Sequence, residues 1–476
     1  MSKKKLSELI RLPARASVWY LISSALAKGI SVIATPFFTR LQSGEDYGQF
    51  VLYMTLLGGA SIICSAFSQG SGFYRGLQEK EDRQGEFLKT IFGVEIAISV
   101  IICLLLFAFS PFLEIKNRLL VFLLIQLLCD GITAILLSYH RFYYNYKIVS
   151  TVSLLSAILP PLISVFLLFR FRAGYILRIY SLLSVSVFIA VFSVIWLIKK
   201  QDKTVVKKGI YNSVREVISF SAPMLPHAIS NAITLQADKL IINGVMGTSA
   251  LGKYSVIYSM GILLQFAVTA IGSALSPWIV RRLEAGEMEK ISRLVLPMTL
   301  GYSALSLCVI AIAPEALSIL APKEYFDAFP ALMPIALSTP FYFLSWVATT
   351  GLVYSGKTKY SLIISFVGAG SCIILNYTLI NAFGYLGAGL AFLVFQVLTA
   401  ILSIALLTRT GLNKMINRRR TAKALLLSLP IGVVISALSA SLFGRVVMLI
   451  FPLAILLYCL KMLWPQIAEK GRKICS

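Results

Sequence analysis

Apolar runs of about 20 residues succeed one another almost without pause along this chain, and the polar stretches between them are short. A helix rises ~1.5 Å per residue and the hydrocarbon core of a bilayer is ~30 Å thick, so each run can span it. The pattern predicts helices at 17–39, 47–69, 90–110, 119–139, 148–169 and 176–198, then at 217–243, 254–278, 294–313, 334–354, 361–380 and 385–408, and last at 424–443 and 446–464. The gaps are too short to fold a soluble domain outside the membrane. The expectation is an all-α polytopic membrane protein with about 14 transmembrane helices.

The pattern also repeats. A long apolar helix from Ile218 to about Asn243, a turn carrying Gly244, Gly247 and Gly252, and a second helix from about Tyr254 echo an earlier helix, polar turn and helix between Val18 and Leu57. Gly48-Gln49-Phe50 falls on Gly252-Lys253-Tyr254, and Gly174-Tyr175 before the sixth span falls on Gly384-Tyr385 before the twelfth. Six spans per copy is an even number, so the copies share one orientation. The expected organisation is two parallel six-helix halves, 1–205 and 206–412, around a central cavity, with two additional transmembrane helices and a cytoplasmic tail in 413–476.

Composition agrees: 58% of residues are apolar and only 13% charged, against roughly 25% charged in soluble domains. The net charge of +24 would fit nucleic acid only if it were gathered on one folded surface, and here it lies in the loops. With both termini cytoplasmic, 33 of the 44 Lys and Arg fall inside and nine outside, the asymmetry expected of a membrane protein. Arg170, Arg172 and Arg178 run against it, on the outer side. The seven cysteines form no CxxC pair, and His140 and His227 have no Cys or carboxylate at ligand spacing, so no metal site is expected.

Ionisable residues inside the spans are the functional candidates, because a charge in hydrocarbon costs about 3 kcal/mol or more unless it meets a partner or a cavity. Lys28 lies some ~16 Å into the first span, too deep to snorkel easily. It either lines a cavity or is closed into a packing contact. Glu95 and Asp130 lie at comparable heights in spans 3 and 4 and are candidates for ion coupling, with solvation at the interface the other reading for Glu95. Asp238 and Lys239 are neighbours on one helix and point ~100° apart, so no mutual pair is expected. The aromatic run from Tyr139 to Tyr146 reads as an interfacial belt, with sugar stacking as the alternative.

Phe38-Thr39-Arg40-Leu41 followed by Ser43-Gly44-Glu45-Asp46-Tyr47-Gly48 resembles a signature of the polysaccharide flippases called Wzx, which share a superfamily with MviN-like and MATE transporters. Gly72-Phe73-Tyr74-Arg75 is similar to that family's arginine after the second span, and Gln236-Ala237-Asp238-Lys239 to its aspartate-basic motif, where arginine is more usual than lysine. GKTKYSLIISF, ILNYTLI and YLGAGLA between 356 and 391 extend the resemblance over nearly the whole chain.

The resemblance implies a bacterial inner-membrane protein that carries undecaprenyl-pyrophosphate-linked oligosaccharide across the bilayer by alternating access, for O-antigen, capsule or exopolysaccharide synthesis. It implies a path lined by Lys28, Arg40, Arg75, Asp238 and Lys239, with polysaccharide polymerase and chain-length proteins as partners. The last two helices depart from the twelve of many relatives and resemble the lipid II flippase branch. A lipid II-type flippase and a cation-coupled multidrug exporter on the same fold are the alternatives. An enzyme is not expected, since no nucleophile elbow or P-loop is present. With no nucleotide site and no cofactor, an H+ or Na+ gradient is the expected drive.

Overall fold

A computed structural model describes residues 3–68, 71–79, 84–113, 117–171, 174–199 and 225–437, together with Val214, Arg215, Ile218 and short pieces between 449 and 462. The described residues are helical almost throughout. They form α1 (Lys3–Leu41), α2 (Gly44–Ser68), α3 (Ser71–Glu79), α4 (Gln84–Leu113), α5 (Asn117–Phe142), α6 (Tyr146–Phe171) and α7 (Tyr175–Lys199). There follow α8 (Leu225–Met246), α9 (Thr248–Gly261), α10 (Leu263–Glu284), α11 (Met288–Leu320), α12 (Leu332–Leu337), α13 (Thr339–Tyr354), α14 (Thr358–Thr408) and α15 (Arg418–Ala437).

The all-α membrane fold stands. Among the described residues nine helices are long and apolar enough to cross a membrane, or ten if the bent pair of α9 and the first half of α10 is one span. α8 falls short because Asn231, Gln236, Asp238 and Lys239 dilute its apolar run, and α15 because it opens on Arg418-Arg419-Arg420. The beginning of the predicted seventh span, the ends of the last two and the cytoplasmic tail lie outside the described residues.

Conversely, one of the nine is two arms. α14 runs for 51 residues, ~75 Å at helical rise, far more than a bilayer needs. Gly384 interrupts it with φ 55°, ψ −128°, and a Cβ on Gly387 would stand 1.8 Å from the Leu379 carbonyl oxygen. Residues eight apart in a straight helix are ~12 Å apart along the axis, so the chain doubles back there with no loop.

Helix starts follow the predicted repeat: Gly44 and Thr248, Tyr146 and Thr358, Tyr175 and the residue after Gly384. The glycine turn is shorter than expected. Only Gly247, at φ 87°, breaks the chain, while Gly244 and Gly252 are helical, and α9 begins at Thr248 rather than near Tyr254. Pro160, Pro161, Pro277, Pro297, Pro314 and Pro430 lie inside helices, whereas Pro340 stands at the start of α13. The stretch 314–331, between two predicted spans, is the end of α11 and a 3-10 helix, Lys323–Ala331.

The contacts divide the chain into two compact units, Met1–Gln236 and Ala237–Ser476. In the first, α1 packs on α6, α4 on α5, and α5 and α6 on α7. Its cores join Phe67, Phe73, Leu77, Phe87, Ile91 and Tyr139, and separately Leu136, Val152, Val185 and Ile189. In the second, α10, α11, α13, α14 and α15 enclose Ile291, Tyr302, Phe343, Val347 and Leu407. The helices are apolar outward as well as inward. α7 buries Ser181, Ala190 and Ser193 against its neighbours while Val187, Phe188, Val191 and Ile195 stay exposed, the pattern of a helix whose outer solvent is lipid.

Candidate functional site

α1 has two exposed stripes. Trp19, Ile22, Leu26, Ile33 and Phe37 follow one line along it, and Ser24, Lys28 and Ser31, continued by half-buried Thr35, another. At ~100° per residue the two lines lie on roughly opposite sides of the helix. The apolar stripe suits lipid; the polar one does not. Lys28 sits in the middle of the polar stripe and is exposed. No side chain would meet a Cβ added at the neighbouring Gly29. Arg40, ~18 Å further along α1, is exposed and donates to the Pro36 carbonyl at 3.2 Å.

The signature after Arg40 builds a clasp. The Ser43 hydroxyl accepts the Asp46 N–H at 3.1 Å and donates to Asp46 Oδ2 at 3.0 Å, which caps α2. Asp46 Oδ1 reaches across to accept the N–H of Tyr175, the first residue of α7, at 3.3 Å. A side chain at Gly174 would collide with that carboxylate, its Cβ only 2.3 Å from Oδ1. One turn into α7, Arg178 is 7% exposed. Its guanidinium lies over the Phe38 ring at 3.7 Å and the Phe50 ring at 3.6 Å, and donates to Gln42 Oε1 at 2.9 Å. This buried cage explains one of the three arginines that opposed the charge asymmetry, and sequence reasoning missed it.

Glu95 and Asp130 occupy adjoining positions without bonding each other. Glu95 is only 2% exposed, which excludes solvation at an interface; it packs over Gly131, where an added Cβ would stand 2.6 Å from its Cγ. Neither of its carboxylate oxygens has a hydrogen-bond partner among the described residues. Asp130 is half-buried and accepts from Gln126 Nε2 at 2.8 Å, and the same amide donates to Ser186 of α7 at 2.6 Å.

α3 carries Arg75. Phe73 and Leu77 are buried, and Arg75 and Gln78 are on the exposed side. In the second unit Asp238 is 2% exposed and accepts from the Tyr254 hydroxyl at 2.9 Å. Lys239 lies over the Tyr258 ring at 4.4 Å, and its Nζ is 3.9 Å from Asp238 Oδ1. The expected absence of any mutual pairing is therefore corrected: the long lysine stem bends back to its neighbour, too far for a hydrogen bond but close enough for ionic attraction.

Comparison with known proteins adds the family. A model described as "Polysaccharide biosynthesis protein" matches residues 37–313, from the clasp through α11. The chain belongs to this family. Its fold is that seen in solved structures of MOP superfamily transporters. A structure of the lipid II flippase MurJ in an inward closed conformation superposes with a TM-score of 0.69 at 17% identity, covering 94% of this chain and 99% of that one. A mutant of the Vibrio cholerae MATE transporter VcmN gives 0.56 at 15% identity over 86% and 98%. A MOP superfamily transporter from Pyrococcus furiosus gives 0.52 at 15% over 84% and 95%. No curated protein matches the sequence. Among the described residues no cluster of metal-ligating side chains occurs.

Proposed function

We propose that the protein is a flippase for a saccharide carried on polyprenyl pyrophosphate, and that it moves the head group through the membrane by alternating access. The observation that carries this reading is the family match over residues 37–313. Crossing unaided, a pyrophosphate-sugar head would leave water for hydrocarbon at a cost of many kcal/mol, whereas its lipid tail never leaves the bilayer. The protein need only shelter the head. A lysine on an exposed polar stripe in mid-span supplies the positive charge that a pyrophosphate requires.

In this reading Arg75 meets the pyrophosphate, Lys28 holds it midway, and Arg40, Asp238 and Lys239 are further residues of the path. Protonation of Asp130 or Glu95 couples the return stroke to an ion gradient. For the substrate, the fold likeness to MurJ supports a lipid II-type head group better than an O-antigen unit, and the lower MATE scores give less support to a multidrug exporter.

Reconstituted vesicles test the proposal. Transfer of a lipid-linked saccharide should fall at least about tenfold in Lys28→Ala and be partly retained in Lys28→Arg. A pH gradient should speed the wild type but not Asp130→Asn. Equal gradient dependence in both removes Asp130 from the mechanism. Transfer of lipid II but not of a longer oligosaccharide settles the substrate, and drug efflux with no lipid transfer overturns the flippase reading.

A further inference from the structure

The aromatic run at the end of α5 divides between buried and exposed rings. Tyr139 and His140 turn inward, their ring centroids 4.9 and 5.1 Å from that of Trp196, and Tyr143 is anchored by Gln84, whose Nε2 donates to its hydroxyl at 2.6 Å. Arg141, Phe142 and Tyr144 instead combine with Tyr74 and Gln78 of α3 to line an open cavity of about 440 Å³. Tyr74 and Phe142 stack at 6.1 Å with their planes 12° apart. Arg141 has no carboxylate within ion-pair distance among the described residues. Close by, the Tyr20 hydroxyl is shielded from solvent without a hydrogen-bond partner, within electrostatic reach of Arg141, Tyr74 and Tyr144.

The backbone adds an independent sign. Asn145 N–H returns to the His140 carbonyl at 2.8 Å and Tyr144 N–H to that of Arg141 at 3.1 Å, a helix end whose left-handed residue is usually glycine. Here it is Tyr144, at φ 55° and exposed. A bulky ring held where glycine is easier points to a use for the ring.

Guanidinium, carboxamide and aromatic rings match one ligand chemistry. Arg141 suits a phosphate, aromatic faces suit the C–H face of a pyranose, and Gln78 suits its hydroxyls. We propose that this cavity docks a sugar bearing phosphate on its anomeric carbon. The lipid-linked form of that ligand rests on the flippase reading; a free sugar phosphate offers the same groups.

The full chain in nanodiscs of phosphatidylethanolamine tests this with four probes: N-acetylglucosamine 1-phosphate, N-acetylglucosamine, inorganic phosphate, and a short-chain polyprenyl pyrophosphate carrying N-acetylglucosamine. The sugar phosphate should bind more tightly than sugar or phosphate alone, and about tenfold more weakly to Arg141→Gln and to Tyr144→Gly. Tyr144→Gly keeps the helix end at ease, so its loss of binding is not a loss of folding. Tighter binding of the lipid-linked probe, with the same dependence on Arg141, identifies the lipid head as the occupant. Binding unchanged in both variants overturns the site, as does phosphate competing as well as the sugar phosphate. Transfer assays on the same variants separate the two readings. Normal transfer with binding unchanged removes the docking site and leaves the flippase; binding that needs Arg141 and Tyr144, with no lipid transfer, keeps the site for a free sugar phosphate and removes the flippase.

Discussion

Arg178 looks misplaced when only loops and charges are counted, yet it is among the best satisfied cations of the first unit. A guanidinium between two rings, desolvated, gains about 2 kcal/mol or more from the ring faces, and its bond to Gln42 adds to this. Arg178→Ala should destabilise the first unit by roughly 2 to 4 kcal/mol, seen as a lower unfolding midpoint in detergent, and lysine should restore only part because it lacks the planar fork. An unchanged midpoint would show that the cage contributes nothing. Asp46→Ala should cost about 1 kcal/mol through the lost cap on α7. Neither contact is legible in sequence, since residues 38, 50 and 178 carry no local sign that they meet. The same holds for Glu95, whose burial depends on Gly131 of another helix leaving room for it.

α3 shows how one small residue positions an element. Gly76 faces Phe87 of α4, and a Cβ there would stand 2.1 Å from the ring, so the helix lies as close as glycine allows. That closeness buries Phe73 and Leu77 and leaves Tyr74 and Gln78 on the cavity. Gly76→Ala should lift α3, at a cost of about 1 to 3 kcal/mol, and amide hydrogen exchange over 73–78 should rise while α6 is unchanged. Unchanged exchange would mean that Phe87 swings aside instead. Most helices were legible because apolar length alone announces them. α8 is helical as expected, and its internal Asn231, Gln236, Asp238 and Lys239 lower its apolar content. The spacing of Gly244, Gly247 and Gly252 suggested a loop, but only the one with positive φ makes the turn.

For the whole chain, the surplus of basic residues on one side predicts both termini in the cytoplasm. Reporter fusions after Arg75, Gln201 and Lys414 should report inside, and one at Lys323 outside; an inner location for Lys323 would overturn this topology. The doubling-back of α14 at Gly384 bears on how the chain enters the membrane in the first place. With no loop between its arms and no basic residue in 381–384, nothing there can wait on one side while the first arm inserts. The two arms are then expected to partition into lipid together, as one helical hairpin. A stop codon shortly after Phe383 would then leave an orphan arm for membrane proteases to clear, whereas one placed after Thr408 would release a complete unit of insertion.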